Sequence, residues 1–186
     1  LNPDNRTAKQ YALKLHKLRH CSILIQYLTQ EVIRIRRQPI TLFISEFVEG
    51  ELLSDLLKRY RGNRLPPFEA LHLLYALTRG MADVHLAHEY HGDLHTDNII
   101  VRRYGLGFDV KLIDLFTHPM SKRELIKEDV VDLIRIFYDV LGGAKHYAHH
   151  APEIKAICCG LKRTLIFKKY RTAAQLRDYL QNIVWL

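Results

Sequence analysis

Apolar positions fall into two alternating regimes along this chain. Near the start, Ala8, Tyr11, Leu15 and Leu18 recur at helical spacing, so residues 8–19 are predicted to form an amphipathic helix. Thr7 and Gln10 have the spacing of a capping box for it. Two runs rich in β-branched and aromatic residues follow, 24–35 and 40–48, and predict strands joined by a turn at Arg36-Arg37-Gln38-Pro39. Glu49-Gly50 breaks the second run. Leu53, Leu56, Leu57 and Tyr60 then share a helical face that Gly62 ends.

The second half is mainly helical. Pro66-Pro67-Phe68 opens a long helix with the stripe Phe68, Leu71, Leu74, Leu77, Met81 and Val84. Ile99-Ile100-Val101 and Val110-Lys111-Leu112-Ile113 are predicted strands, with a hairpin turn near Gly105-Leu106-Gly107. From Lys127 to Leu141 the chain is apolar nearly all round, the pattern of a helix buried in the middle of a domain. A last helix starts at Thr172, again with a capping-box partner at Gln175, and presents Ala173, Leu176, Leu180 and Ile183. The expected fold class is α+β, a small antiparallel sheet region followed by a helical bundle.

Composition narrows this only a little. No apolar run approaches the roughly 18 residues of a membrane span. The three cysteines, Cys21 and the adjacent pair Cys158-Cys159, suit a reduced protein in the cytoplasm. Net charge is +8, which favours anionic partners such as a nucleotide or phosphate. The basic residues are spread along the chain, with short clusters at Arg34-Ile35-Arg36-Arg37 and Lys168-Lys169-Tyr170-Arg171, and this argues against nucleic acid as the partner. The opening Leu1-Asn2-Pro3-Asp4-Asn5 has neither an initiator Met nor a signal pattern, so residue 1 is not expected to be the natural beginning.

The chemistry is concentrated between residues 91 and 114. A polar loop, His91-Gly92-Asp93-Leu94-His95-Thr96-Asp97-Asn98, lies between a long helix and a short strand, and the next strand delivers Asp114. Phosphoryl transfer asks a protein for positioning and charge cancellation rather than covalent chemistry. One carboxylate must orient the acceptor hydroxyl, and oxygen ligands must hold magnesium against the phosphates. Asp93, Asn98 and Asp114 are the right residue types in the right order. Alternation of His91, Asp93 and His95 would gather a metal cluster only on a strand, and no further ligand is nearby.

This loop resembles the catalytic loop of the protein-kinase-like superfamily, H-R-D-L-x-x-x-N, with Ile113-Asp114-Leu115-Phe116 standing at the later D-F-G. It is most similar to the branch that reads H-G-D-L-H, such as aminoglycoside and choline phosphotransferases. The resemblance extends beyond the loop. Phe43 to Gly50 looks like the family's fifth strand and hinge, which implies adenine contacts from Glu46, Phe47 and Val48. Gly80-Met81-Ala82-Asp83-Val84-His85 looks like the end of the helix before the loop. Asp129 resembles the aspartate that braces the loop backbone. The resemblance implies a kinase-like fold, with residues 1–48 as a reduced smaller lobe (a helix and two strands) and 49–186 as the larger lobe. It implies ATP and Mg²⁺ as cofactors and a hydroxyl of a protein or small molecule as phosphate acceptor. Asp93 would be the base, with Asn98 and Asp114 as metal ligands. His95 stands where protein-serine kinases carry Lys; phosphate contact and simple exposure are both open.

Several family features are missing. No G-x-G-x-x-G occurs, and Lys14 is expected on the first helix rather than on a strand. No acidic residue lies between Thr7 and Arg19 to serve as the usual Glu partner. Phe116 replaces the Gly of D-F-G, Gly92 replaces the Arg of H-R-D, and no A-P-E follows. These departures keep a non-catalytic binding module as the alternative. They predict weak or no turnover by this chain, without a phosphorylation switch or an extended peptide platform.

Overall fold

A computed structural model describes residues 5–105 and 107–183, with side chains from residue 11 onward. The Thr7–Gln10 capping box, the Ala8 position and Leu106 in the hairpin turn lie outside the described side chains. The first helix, α1, spans Asn5–Lys17. It is followed by an antiparallel ribbon of β1 (Tyr27–Ile35) and β2 (Gln38–Ser45). A three-stranded antiparallel sheet is formed by β3 (Glu51–Leu52), β4 (Ile99–Tyr104) and β5 (Gly107–Leu112), in that order. Between β3 and β4 run the short α2 (Leu53–Lys58) and the long α3 (Pro67–Leu86). After β5 come α4 (Lys122–Val140), α5 (Ala144–Tyr147), α6 (Pro152–Cys158), α7 (Arg163–Lys169) and α8 (Ala173–Gln181).

The core sits where α3, α4 and α8 meet the small sheet. Leu73, Leu74, Leu77, Met81 and Val84 of α3 pack with Val130, Leu133, Ile134, Phe137 and Val140 of α4, all buried. Phe68, at the start of the predicted α3 stripe, is exposed; Ala70 and Leu73 take the buried face instead. α4 starts five residues earlier than the apolar pattern indicates. Its first turn is capped by Ser121, whose side chain accepts from the Glu124 N–H while Glu124 reaches back.

The N-terminal elements join the same core. Leu15 and Leu18 are buried, and the segment after α1 runs beside β5: Leu112 N–H donates to Ile23 O at 2.7 Å, and Ile25 N–H to Leu112 O at 3.0 Å. The expected strand from Leu24 begins only at Tyr27. Gln26 closes a turn first, its amide donating to Cys21 O and Leu24 O. Gly80 makes the close approach to α3 possible, since a Cβ there would stand 2.4 Å from Ile23 Cδ1.

A candidate site at the loop before β4

The site is built on a buried carboxylate. Asp129 of α4 is fully buried, and its two oxygens accept from His91 N–H at 2.8 Å and Gly92 N–H at 2.9 Å. His85 of α3 stands 3.2 Å from the same carboxylate. Its Nδ1 accepts from Ala173 N–H at 3.0 Å, which puts the imidazole proton on Nε2, pointing at Asp129. One carboxylate thereby ties α3, α4, α8 and the loop together.

His91 continues the scaffold inward. It is fully buried; Nδ1 accepts from Asp93 N–H at 3.3 Å, and Nε2 donates to Ile113 O at 2.9 Å. Burial pushes its pKa down, against the opposing pull of Asp129. A neutral ring with both nitrogens spent on backbone is a structural strut, not a base.

The antiparallel register then brings the loop and the segment after β5 together. Ile99 pairs with Leu112, and one step further Ile113 N–H donates to Asn98 O at 3.1 Å. Asp114 therefore leaves the sheet next to Asn98. Asn98 is buried, and its Nδ2 donates to Asp93 O at 2.9 Å and to Asp93 Oδ2 at 3.2 Å. This spends the amide's donor and leaves Oδ1 as the unspent acceptor. Asp93 and Asp114 are both exposed. Asp114 is left-handed at φ 57°, an uncommon conformation for a residue other than Gly. Phe116 stands in place of Gly, and the positive φ falls two residues earlier, at Asp114.

His95 is half exposed. Its Nδ1 accepts from Asp97 N–H at 3.3 Å, and its Nε2 lies 3.6 Å from Asp93 Oδ2. Asp97 closes the turn and points to solvent. Gly92 has φ 88°, and a Cβ on it would stand 2.9 Å from Phe116 O. His118 donates to Gly92 O at 2.7 Å and so staples the segment after Asp114 onto the loop.

Glu46, Phe47 and Val48 lie elsewhere. They line a cavity of about 700 Å³ with Ile23, Arg79, Gly80, Asp83, Ile100, Arg102, Val110 and Lys111, and Asp93, Asn98 and Asp114 do not reach it. The Glu46 carboxylate pairs with Lys111 and accepts from Gln26 N–H, and its own N–H donates to Gln26 O. Phe47 is 90% exposed.

Two residues of α1 that sequence reasoning gives no role lie at the Asp114 segment. Lys14 Nζ donates to Phe116 O at 3.0 Å and sits 3.6 Å from the Tyr90 ring centroid. Burial pushes its pKa down to about 8, partly countered by Glu89 and Asp129. Tyr11 lies close enough to Asp114 and Leu115 to feel both. Burial raises its pKa, the Asp114 charge adds to the rise, and Leu115 N–H opposes it. The only sequence signal for this pair is its i, i+3 spacing on one helix face.

Among the described residues, no three His, Cys, Asp or Glu side chains form a ready metal cage. The donor set that is present consists of hard oxygens: an amide Oδ1 and two exposed carboxylates. Mg²⁺ accepts one or two such ligands and completes its shell with water and phosphate, so these residues fit it. No described helix is long and apolar enough to cross a membrane.

No protein-family model matches the chain. Over 71 residues it is 37% identical to the serine/threonine-protein kinase pkn2 of Myxococcus xanthus; the match takes in 38% of this chain and 8% of that protein. The chain is thus similar, over a limited stretch, to a small part of a much longer kinase.

Proposed function

We propose that this chain is the catalytic half of a kinase-like phosphotransferase that uses ATP and Mg²⁺ to phosphorylate a hydroxyl group. The observation that carries the reading is the meeting of Asp93, Asn98 and the Asp114 backbone at one loop, all referred to a single buried aspartate. The limited similarity to a serine/threonine kinase supports it. In this reading Asp93 would orient the acceptor hydroxyl and take its proton. It is exposed, and Asn98 Nδ2 fixes one of its oxygens. Asn98 Oδ1 and the Asp114 carboxylate would hold Mg²⁺, which supplies charge neutralisation on the phosphates when bound. Glu46, Phe47 and Val48 would offer backbone groups to the adenine, and His95 would lie beside the phosphates.

The test compares the full-length protein with its Asp93→Asn and Asp114→Asn variants. Asp93→Asn should leave Mg-ATP binding in place and lower phosphate transfer by about 10²–10⁴-fold. Asp114→Asn should remove the Mg²⁺-dependent part of ATP affinity seen by isothermal titration. Equal transfer by wild type and Asp93→Asn would end the reading. A non-catalytic binding module is the second reading, favoured by the absence of a Gly-rich loop and its Lys–Glu pair from the sequence. It predicts ATP binding without any Asp93-dependent transfer.

A further inference from the structure

Asp114 poses a physical problem that the loop alone does not solve. A non-Gly residue in the left-handed region costs about 1–3 kcal/mol and persists only where its surroundings over-determine it. On its N-terminal side the restraint is complete: Ile113 N–H donates to Asn98 O and Ile113 O accepts from His91 Nε2. On its C-terminal side the loop offers Phe116 N–H to His91 O at 2.9 Å. The other half of that residue, Phe116 O, is held from outside by Lys14, whose ammonium rests on the buried Tyr90 ring. A charged donor to a carbonyl is among the stronger hydrogen bonds. The same carbonyl lies against Gly92, so the Phe116 backbone is wedged between the loop and α1. One helical turn before Lys14, Tyr11 brings its hydroxyl toward Asp114 and Leu115, while its ring meets Phe43 of β2 edge-on at 5.2 Å.

We infer that Tyr11 and Lys14 are positioning residues: from one face of α1 they fix the Asp114–Phe116 segment so that Asp114 is presented for metal binding. The inference rests on the proposed role of Asp114. It adds that α1, and through Tyr11–Phe43 the β1–β2 ribbon, sets the metal affinity of a site to which neither contributes a ligand.

The experiment measures ATP affinity by isothermal titration, with Mg²⁺ and with EDTA, for wild type, Tyr11→Phe, Lys14→Met and Lys14→Arg. Wild type should bind ATP more tightly with Mg²⁺. Tyr11→Phe and Lys14→Met should each lose about tenfold of that gain while metal-free ATP binds as before, the size typical of residues that support a ligand without touching the metal. Lys14→Arg should keep most of it. If wild type shows no Mg²⁺-dependent gain, the reading of Asp114 as a ligand fails. If wild type shows the gain and both Tyr11→Phe and Lys14→Met keep it, or lose metal-free and Mg²⁺-bound affinity alike, the positioning role is overturned. Tyr11→Phe removes one hydroxyl and decides the matter should Lys14→Met fail to fold.

Discussion

Gly92 shows how closely single residues are matched to their places. Its φ of 88°, the Phe116 carbonyl and the Tyr90 ring leave no room for a side chain. A side chain at this point would meet the Phe116 carbonyl and the Tyr90 ring, so the glycine here has a local steric cause. Gly92→Ala should destabilise the fold by about 1–3 kcal/mol, from left-handed strain and a contact with backbone that cannot swing away. Urea denaturation of the two proteins measures it, and an unchanged midpoint would mean that the loop relaxes freely. The sequence marks Asp93, Asn98 and Asp114 as candidates by residue type and order, and the antiparallel register brings Asn98 beside Asp93 and the start of the Asp114 segment. The left-handed turn at Asp114 was not legible in the sequence. Backbone torsion there depends on Asn98, His91 and α1, which lie far away in sequence and leave no local mark.

At the scale of elements, strong periodicity was readable and short or charge-masked helix was not. The first turns of α4 carry Lys122, Arg123, Glu124 and Lys127, with Leu125 as their one buried apolar residue, so the pattern became recognisable only further on. α5, α6 and α7 have four, seven and seven residues, too few to establish a period. Thr172 does cap α8, but Gln175 turns its side chain to Arg171 N–H instead of the cap residue's own. α4 also carries Asp132, one turn after Asp129. Burial first, and then the Asp129 charge, push Asp132 up to about 6 from 3.8. Between those values the native state holds a proton that the unfolded chain has lost. This residue's contribution to stability therefore falls as pH rises through that window, and the full penalty applies above it. Asp132→Asn should raise stability at pH 7 by on the order of 1 kcal/mol, allowing for solvent near the carboxylate. The advantage should vanish near pH 4. Urea midpoints of both proteins at the two pH values give the comparison, and a constant gap would place the raised carboxyl elsewhere.

For the whole molecule, the contrast is between a dense helical core and a thin ribbon. The aspartate-anchored site draws on α3, α4 and α8, which share one continuous core. Among the described residues, β1 and β2 pair only with each other, and they leave Leu28, Val32 and Ile35 half exposed or more. Their turn places Arg36 and Arg37 at φ 50° and 67°, where Asn-Gly would sit without strain. Gln38 and Pro39, read from sequence as part of that turn, belong to the β2 ladder, so the strained turn is two residues long. A two-stranded hairpin has little stability of its own. The attachments described here are the Tyr11–Phe43 contact, the Lys111–Glu46 pair and the short ladder of Gln26 with Glu46. Local openings of the ribbon should therefore need far less free energy than opening the core. In native-state hydrogen exchange, paired amides of β1 and β2 should exchange roughly 10²-fold or more faster than those of Leu133 to Phe137 in α4. Adding Mg-ATP should slow exchange at the loop and at α1 if Tyr11 and Lys14 couple them, while the Arg36–Arg37 tip stays fast. Equal protection in ribbon and core would instead make the ribbon and the helical core one cooperative unit.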